Sequence, residues 1–409
     1  MKKQLLIFIA LLGMTGCSDQ KPRLEKPGRT PQQTQPLSQS RNPPQVPQQP
    51  QVNLTPYFQA YTAFALNSYP KVAAMHEGKS FVYSPLSITQ ELGVLLTGSD
   101  ADLADKIQKW FSAPVTPPLL SGILRSQTAG SVSFWPFNAV WLQKGYNVVV
   151  PYRDNVKAAF GTSVFSADFA GAKEETLKIL NCWASDMTSG KVPAILADYP
   201  ETTRLLFSNI LLHKVNWQQP FHPDKTVDQD FTPLAGDKKP RPMMHKNGVF
   251  RYFESENLQI LVLPYQEENL RLVMLLPKPE KWADLEKIMT PERLLPFFAN
   301  FKPTPLTLQI PKLTLDTEVN VTALFPELAN VSGLKGISFS APEPLPLGPM
   351  LQKTVFKMEE QNAVNTVPPK EPEVTQPEQV KTFAANTPFL FLVWDAQHMT
   401  PLLIGRVAD

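Results

Sequence analysis

Hydrophobic positions recur along most of the chain at two spacings. A helical period, with apolar residues three and four apart, marks Phe58 to Ala74. It also marks Asp102 to Phe111, where Leu103, Ile107, Trp110 and Phe111 share one side, and Lys173 to Met187, where Leu177, Leu180 and Trp183 recur. Thr188-Ser189-Gly190 closes the last of these, because glycine adopts the left-handed helix terminus without strain. Short apolar runs suited to strands cover Arg204 to Val215, Leu258 to Leu263, Leu270 to Leu276, Pro305 to Ile310 and Phe389 to Trp394. Helices come first and strands dominate later. That order predicts an α+β fold rather than alternating α/β units.

The first 56 residues do not share this pattern. Lys2 and Lys3 precede an apolar run, Leu5 to Leu12, that is too short to span a bilayer as a mature helix. The run ends at Gly16-Cys17, which resembles a bacterial lipoprotein signal: residues 1–16 as signal peptide and Cys17 as the lipidated N-terminus. Ser18 follows, where the resemblance implies sorting to the outer membrane. Acyl chains on Cys17 would anchor the chain stably, at about 0.8 kcal/mol per buried methylene. Lys21 to Pro50 then holds eight Pro and seven Gln. Too little apolar surface is present there to offset chain entropy, so residues 17–53 are expected to form an extended tether. The globular domain is assigned to 54–409.

Composition sharpens the picture in two ways. The 409 residues include 42 Pro against 18 Gly, roughly twice the ~5% Pro of an average protein. Eight prolines lie in the tether, and ten more lie between Ala341 and Pro401. A formal net charge of +2 gives no drive toward nucleic acid, and two Cys exclude a disulfide scaffold. Enzyme chemistry is not indicated. There is no His-Glu-x-x-His, no Gly-x-Ser-x-Gly elbow and no phosphate-cradling glycine loop. His213, His222, His245 and His398 are scattered, no metal ligand set or cofactor is expected, and Lys238, Lys239 and Arg241 read as a solvated basic turn.

The motifs of the globular region carry a resemblance in order. Phe81-Val82-Tyr83-Ser84-Pro85-Leu86-Ser87-Ile88 looks like an early signature of the serpins, the serine-protease-inhibitor fold. Asn181-Cys182-Trp183 with Thr188-Ser189-Gly190-Lys191-Val192 resembles their long helix over the main sheet. Ser208-Asn209-Ile210, Lys214 and Trp217 to Phe221 are similar to their central strand and turn. Pro242-Met243-Met244, Leu263-Pro264-Tyr265, Leu276-Pro277, Ile310-Pro311-Lys312, Pro388 to Leu392 and Gly405-Arg406-Val407 follow in family order.

The resemblance implies a large central mixed sheet, further sheets, eight or nine helices and an exposed reactive-centre loop near the C-terminus. It also implies a monomer that needs no cofactor and traps a serine protease, with cysteine proteases as further targets, by acting as a suicide substrate. The cleaved loop enters the sheet as a new strand and carries the acylated protease with it. About sixteen extended residues span ~53 Å at ~3.3 Å each. By resemblance, Ser84, Ser87, Asn209, Trp217 and Gln352 belong to the region that must part. Gln352 stands where the family commonly has His, and Ser84 and Ser87 also suit plain helix capping. Glu359 and Glu360 resemble the start of the hinge, continued by Gln361, Asn362, Ala363, Val364 and Asn365.

The hinge departs from the family's run of small residues. Asn365 would bury an amide, and Pro368 and Pro369 cannot donate to a sheet ladder. Zipping past Pro368 should cost several kcal/mol. Two readings follow: a protease inhibitor that tolerates a costly insertion, or a serpin-fold binding or structural module that does not trap proteases. Counting along the loop points to Val374–Thr375 or Thr375–Gln376 as the scissile bond, since Pro377 disfavours cleavage after Gln376, with Lys370–Glu371 as a trypsin-like alternative that lies early and leaves a short inserted strand. Val or Thr before the cut suits an elastase-like pocket.

Overall fold

The computed structural model describes residues 55–111, 113–128, 133–328, 331–360 and 380–409. Nine α-helices occur among them: α1 Thr55–Met75, α2 Pro85–Thr97, α3 Ala101–Gln108, α4 Pro117–Thr128, α5 Val150–Phe160, α6 Lys173–Met187, α7 Trp282–Glu286, α8 Pro291–Leu294 and α9 Val321–Leu324. The strands are β1 Phe81–Tyr83, β2 Phe134–Gln143, β3 Ser163–Ala167, β4 Leu205–Lys214, β5 Thr226–Phe231, β6 Lys239–Glu254 and β7 Leu258–Pro264. They continue with β8 Leu270–Pro277, β9 Lys302–Pro311, β10 Leu313–Asn320, β11 Leu347–Met358, β12 Lys381–Ala384, β13 Phe389–Asp395 and β14 Thr400–Val407.

The helix-early, strand-late order is borne out. α6 begins at Lys173 and ends at Met187 as the periodicity predicts. Gly190 beyond it takes φ +77° and donates its N–H to Ser185 O at 2.8 Å, closing the helix. The helix expected over Asp102–Phe111 stops at Gln108, leaving Trp110 and Phe111 on a turn, where Trp110 stacks on Phe325 at 4.0 Å. The basic turn is a correction. Lys239 and Arg241 lie in β6, where the extended run through Pro240 and Pro242 pairs with β5, and Arg241 sits 4.4 Å from the Phe231 ring.

Two sheets organise the molecule. A five-stranded sheet runs in the order β10-β11-β4-β2-β3, and it is mixed: β11 and β4 are parallel, β2 and β3 are parallel, and the other pairs are antiparallel. A second sheet runs β1-β14-β13-β8-β7-β6-β9-β12, with β5 added to β6.

Alternation along β4 sends its side chains to two different cores. Phe207 and Leu211 join the large core that includes α2, and Leu206, Ile210 and Leu212 join a smaller one roofed by α6. In the smaller core Trp141 meets Trp183 edge-on at 5.8 Å and donates its Nε1–H to Ser208 Oγ at 2.9 Å. The seam between β4 and β11 is therefore a layer between two helices, with α2 beneath and α6 above.

Candidate functional site at the strand seam

The seam is a parallel register from Leu347 opposite Leu205 to Lys357 opposite Lys214. Parallel neighbours with no strand between them can accept one only if their ladder opens. Two groups of side chains hold this one shut.

The lower group lies on the α2 face. Ser84 is the N-cap of α2: its Oγ accepts from Ser87 N at 3.1 Å and donates to Leu402 O at 3.0 Å. The hydroxyl thus caps the helix and ties it to β14, so the capping and sheet-opening expectations fall on one atom. Gln352 on β11 faces Ser84 squarely. Its Nε2 donates to Ser84 O at 2.6 Å and its Oε1 accepts from Ser84 N at 3.0 Å. An amide can do both at once because it carries donor and acceptor on one plane. Asn209 is directly opposite Gln352 across the seam, fully buried, and donates to Asn138 Oδ1 on β2. The structure brings Ser84, Ser87, Asn209 and Gln352 together on one face of the seam.

The same face holds an ionisable group that motif reading passes over. Glu91, two helical turns along α2 from Ser84, is 4% exposed, and neither carboxylate oxygen has a hydrogen-bond partner. Desolvation pushes its pKa up to about 8. Gln90 Oε1, Thr162 Oγ1 and Asn209 Oδ1 nearby are also buried without partners. In sequence Glu91 looks like an ordinary helix residue; only its place under β2 and β4 makes it unusual.

The upper group closes the top of the seam. Trp217 is 1% exposed, bridges to Tyr265, and donates its Nε1–H to Glu359 O at 2.8 Å. Phe221 N donates to Glu360 O at 2.8 Å. The carboxylates are held as well. Glu359 pairs with Lys214 across the seam and with Lys357 at 2.7 Å. Glu360 accepts from Thr226 Oγ1 at 2.8 Å and pairs with Lys312 at 2.9 Å. Burial alone would raise both carboxyl pKa values, but the hydrogen bonds from these lysines and from Thr226 outweigh it and leave both below the ordinary value.

Beneath this latch His213 is fully enclosed between Phe134, Tyr265 and Phe356. Its Nδ1 lies 2.8 Å from Ser133 O, a pure acceptor, so Nδ1 carries the proton and Nε2 accepts from Tyr265 OH at 3.0 Å. Desolvation pushes its pKa down to about 3, so it is a neutral wedge in the seam. Sequence reading leaves His213 among scattered histidines, and Thr226, Tyr265 and Lys312 enter it only as parts of family motifs, with no contact assigned to them. Their partners are remote in sequence, and only the register reveals them.

Of the hinge residues, Glu359 and Glu360 are thus placed. Gln361, Asn362, Ala363, Val364 and Asn365, the bond candidates Val374, Thr375 and Gln376, Pro368 and Pro369, and Cys17 lie outside the described residues.

Comparison with known proteins gives the same order of parts. A family model described as Serpin (serine protease inhibitor) matches residues 59–409. An alpha-1-antiproteinase of Rattus norvegicus is 26% identical over 372 residues, covering 85% of this chain and 87% of that protein. Antithrombin-III of Mus musculus is 24% identical over 376 residues, covering 86% and 81%. The crystal structure of mouse protein-Z dependent protease inhibitor superposes with a TM-score of 0.76 at 20% identity, over 87% of this chain and 98% of that one. With residues 59–409 matched, and a parallel seam latched at Glu359 and Glu360, the chain belongs to the serpin family.

Proposed function

We propose that this protein inhibits proteases as a suicide substrate, its loop entering between β4 and β11 after cleavage. The observation that carries the reading is the direct parallel pairing of those strands, with Glu359 and Glu360 held at its upper end. A strand inserted there runs antiparallel to both neighbours and gains two new ladders in place of one. That gain is the drive for insertion, and the latch and the Ser84–Gln352 clasp are the barrier. Energy held back by a barrier rather than by equilibrium is kinetic stability.

The target in this reading is a serine protease of elastase-like preference, cut at Val374–Thr375 or Thr375–Gln376, with cysteine proteases as further targets. The protein acts as a monomer, lipid-anchored through Cys17 to the bacterial envelope at the outer membrane, with residues 17–53 as spacer. The relatives' printed names, antiproteinase and antithrombin, support the inhibitory role and say nothing of the anchor or the target.

A second reading has one specific observation in its favour. Pro368 and Pro369 fall where the new strand must form, and each removes a ladder hydrogen bond. In that reading the chain is a non-inhibitory serpin-fold binding or structural lipoprotein. Melting temperature before and after nicking the loop separates the two: insertion raises it, and an unchanged value shows that the loop stays out.

A further inference from the structure

A cavity of about 280 Å³ opens beside the latch, between the turn Trp217–Phe221 and strands β6, β7 and β8. Its apolar wall is Trp217, Phe221, Val249, Val262 and Leu263. Its charged lining is wholly cationic: Lys246, Arg251 and Arg271, with no Asp or Glu among the described lining residues. Lys246 is engaged, donating to Gln219 O at 2.8 Å and Pro220 O at 3.2 Å.

The two arginines are placed differently. Arg251 pairs in register with Val262, and Arg271 with Pro264. Val262 and Pro264 are two residues apart on β7, so they face the same side, and the arginines flank them from both neighbouring strands. Neither arginine has an ion-pair partner among the described residues, although Arg271 Nη1 donates to Leu270 O at 2.7 Å. Burial and then repulsion from Arg251 lower the pKa of Arg271, with Glu268 opposing weakly. Two guanidinium groups that repel each other across an apolar floor are stabilised by an anion between them, and guanidinium matches carboxylate geometry in particular.

We propose that this cavity binds a small amphipathic carboxylate, its head between Arg251 and Arg271 and its apolar body against Trp217 and Val262. The volume is just below the usual range for small-molecule sites, about 300–1,000 Å³, so the ligand is compact. The site does not depend on the inhibitory reading, but its wall is the same Trp217 that holds Glu359 O.

The test is calorimetric titration of the full chain with octanoate, with octan-1-ol as the neutral control. Octanoate is expected to bind one to one and at least tenfold more tightly than octanol. The double variant Arg251→Gln/Arg271→Gln should lose tenfold or more of the octanoate affinity and keep the octanol affinity. Val249→Trp, at a position 59% exposed on the cavity lining, should block both ligands. Equal binding of octanoate and octanol, unchanged octanoate affinity in the double variant, or unchanged binding in Val249→Trp would overturn the assignment.

Discussion

The side-chain amide of Gln352 clasps both backbone polar groups of Ser84, accepting from its N–H at 3.0 Å and donating to its C=O at 2.6 Å. The clasp joins β11, which borders the seam, to the first turn of α2, which lies under it. Gln352→Leu would leave two buried backbone groups unpaired, at about 1–3 kcal/mol each. We expect a loss of roughly 2–6 kcal/mol in urea unfolding. Gln352→His restores part of it, since imidazole can make one of the two bonds but not both from one plane.

Trp217 donates its Nε1–H to Glu359 O at the top of the seam. Trp217→Phe keeps most of the buried ring and removes the bond to Glu359 O, worth about 0.5–1.5 kcal/mol. The variant should be less stable by that amount. On native gels it should convert faster on warming to a loop-inserted form, whereas conversion at the unaltered rate would show that the bond lies outside the barrier.

Acid should release the latch. The folded pKa values of Glu359 and Glu360 lie below the ordinary 4.5, so their ion pairs contribute stability that is present above 4.5 and lost as pH falls through the folded values. His213 remains neutral down to about pH 3. Loop insertion should therefore accelerate below pH 4.5. Glu359→Gln/Glu360→Gln should insert fast already at pH 7 and lose this acid dependence, read by the same native-gel conversion.

Glu91 has the opposite sign. Its folded pKa of about 8 is above the ordinary 4.5, so the protein folds with the carboxyl neutral. The stability this permits is complete below 4.5 and declines as pH rises to about 8, where the buried group ionises. Glu91→Gln should flatten the pH–stability curve between those values and be the more stable protein at pH 8. Parallel curves for the two proteins in denaturant titrations would show that Glu91 is hydrated in solution.

Much of this was legible before any coordinates. Periodicity placed α6 to the residue, because its apolar stripe and Gly190 stop are local signals. Ordered motifs point to Ser84, Asn209 and Gln352, which the structure brings together at the seam. What was not legible is long-range. Lys312 reaches Glu360, and Tyr265 reaches His213, through sheet register that no local pattern encodes. The start of β6 reads as a turn from its basic cluster, but its Pro240 and Pro242 pair opposite Asp230 and Asp228 of β5, on the border of the sheet where proline is tolerated. Glu91 passed unnoticed because burial, not sequence, makes it exceptional.

The most direct test of the account is a denaturing gel of the protein mixed with elastase. Insertion between β4 and β11 after cleavage predicts a covalent band at the summed mass of protease and inhibitor, resistant to boiling in detergent. A cleaved chain beside fully active elastase, with no such band, would contradict the account and leave the serpin-fold binding or structural reading.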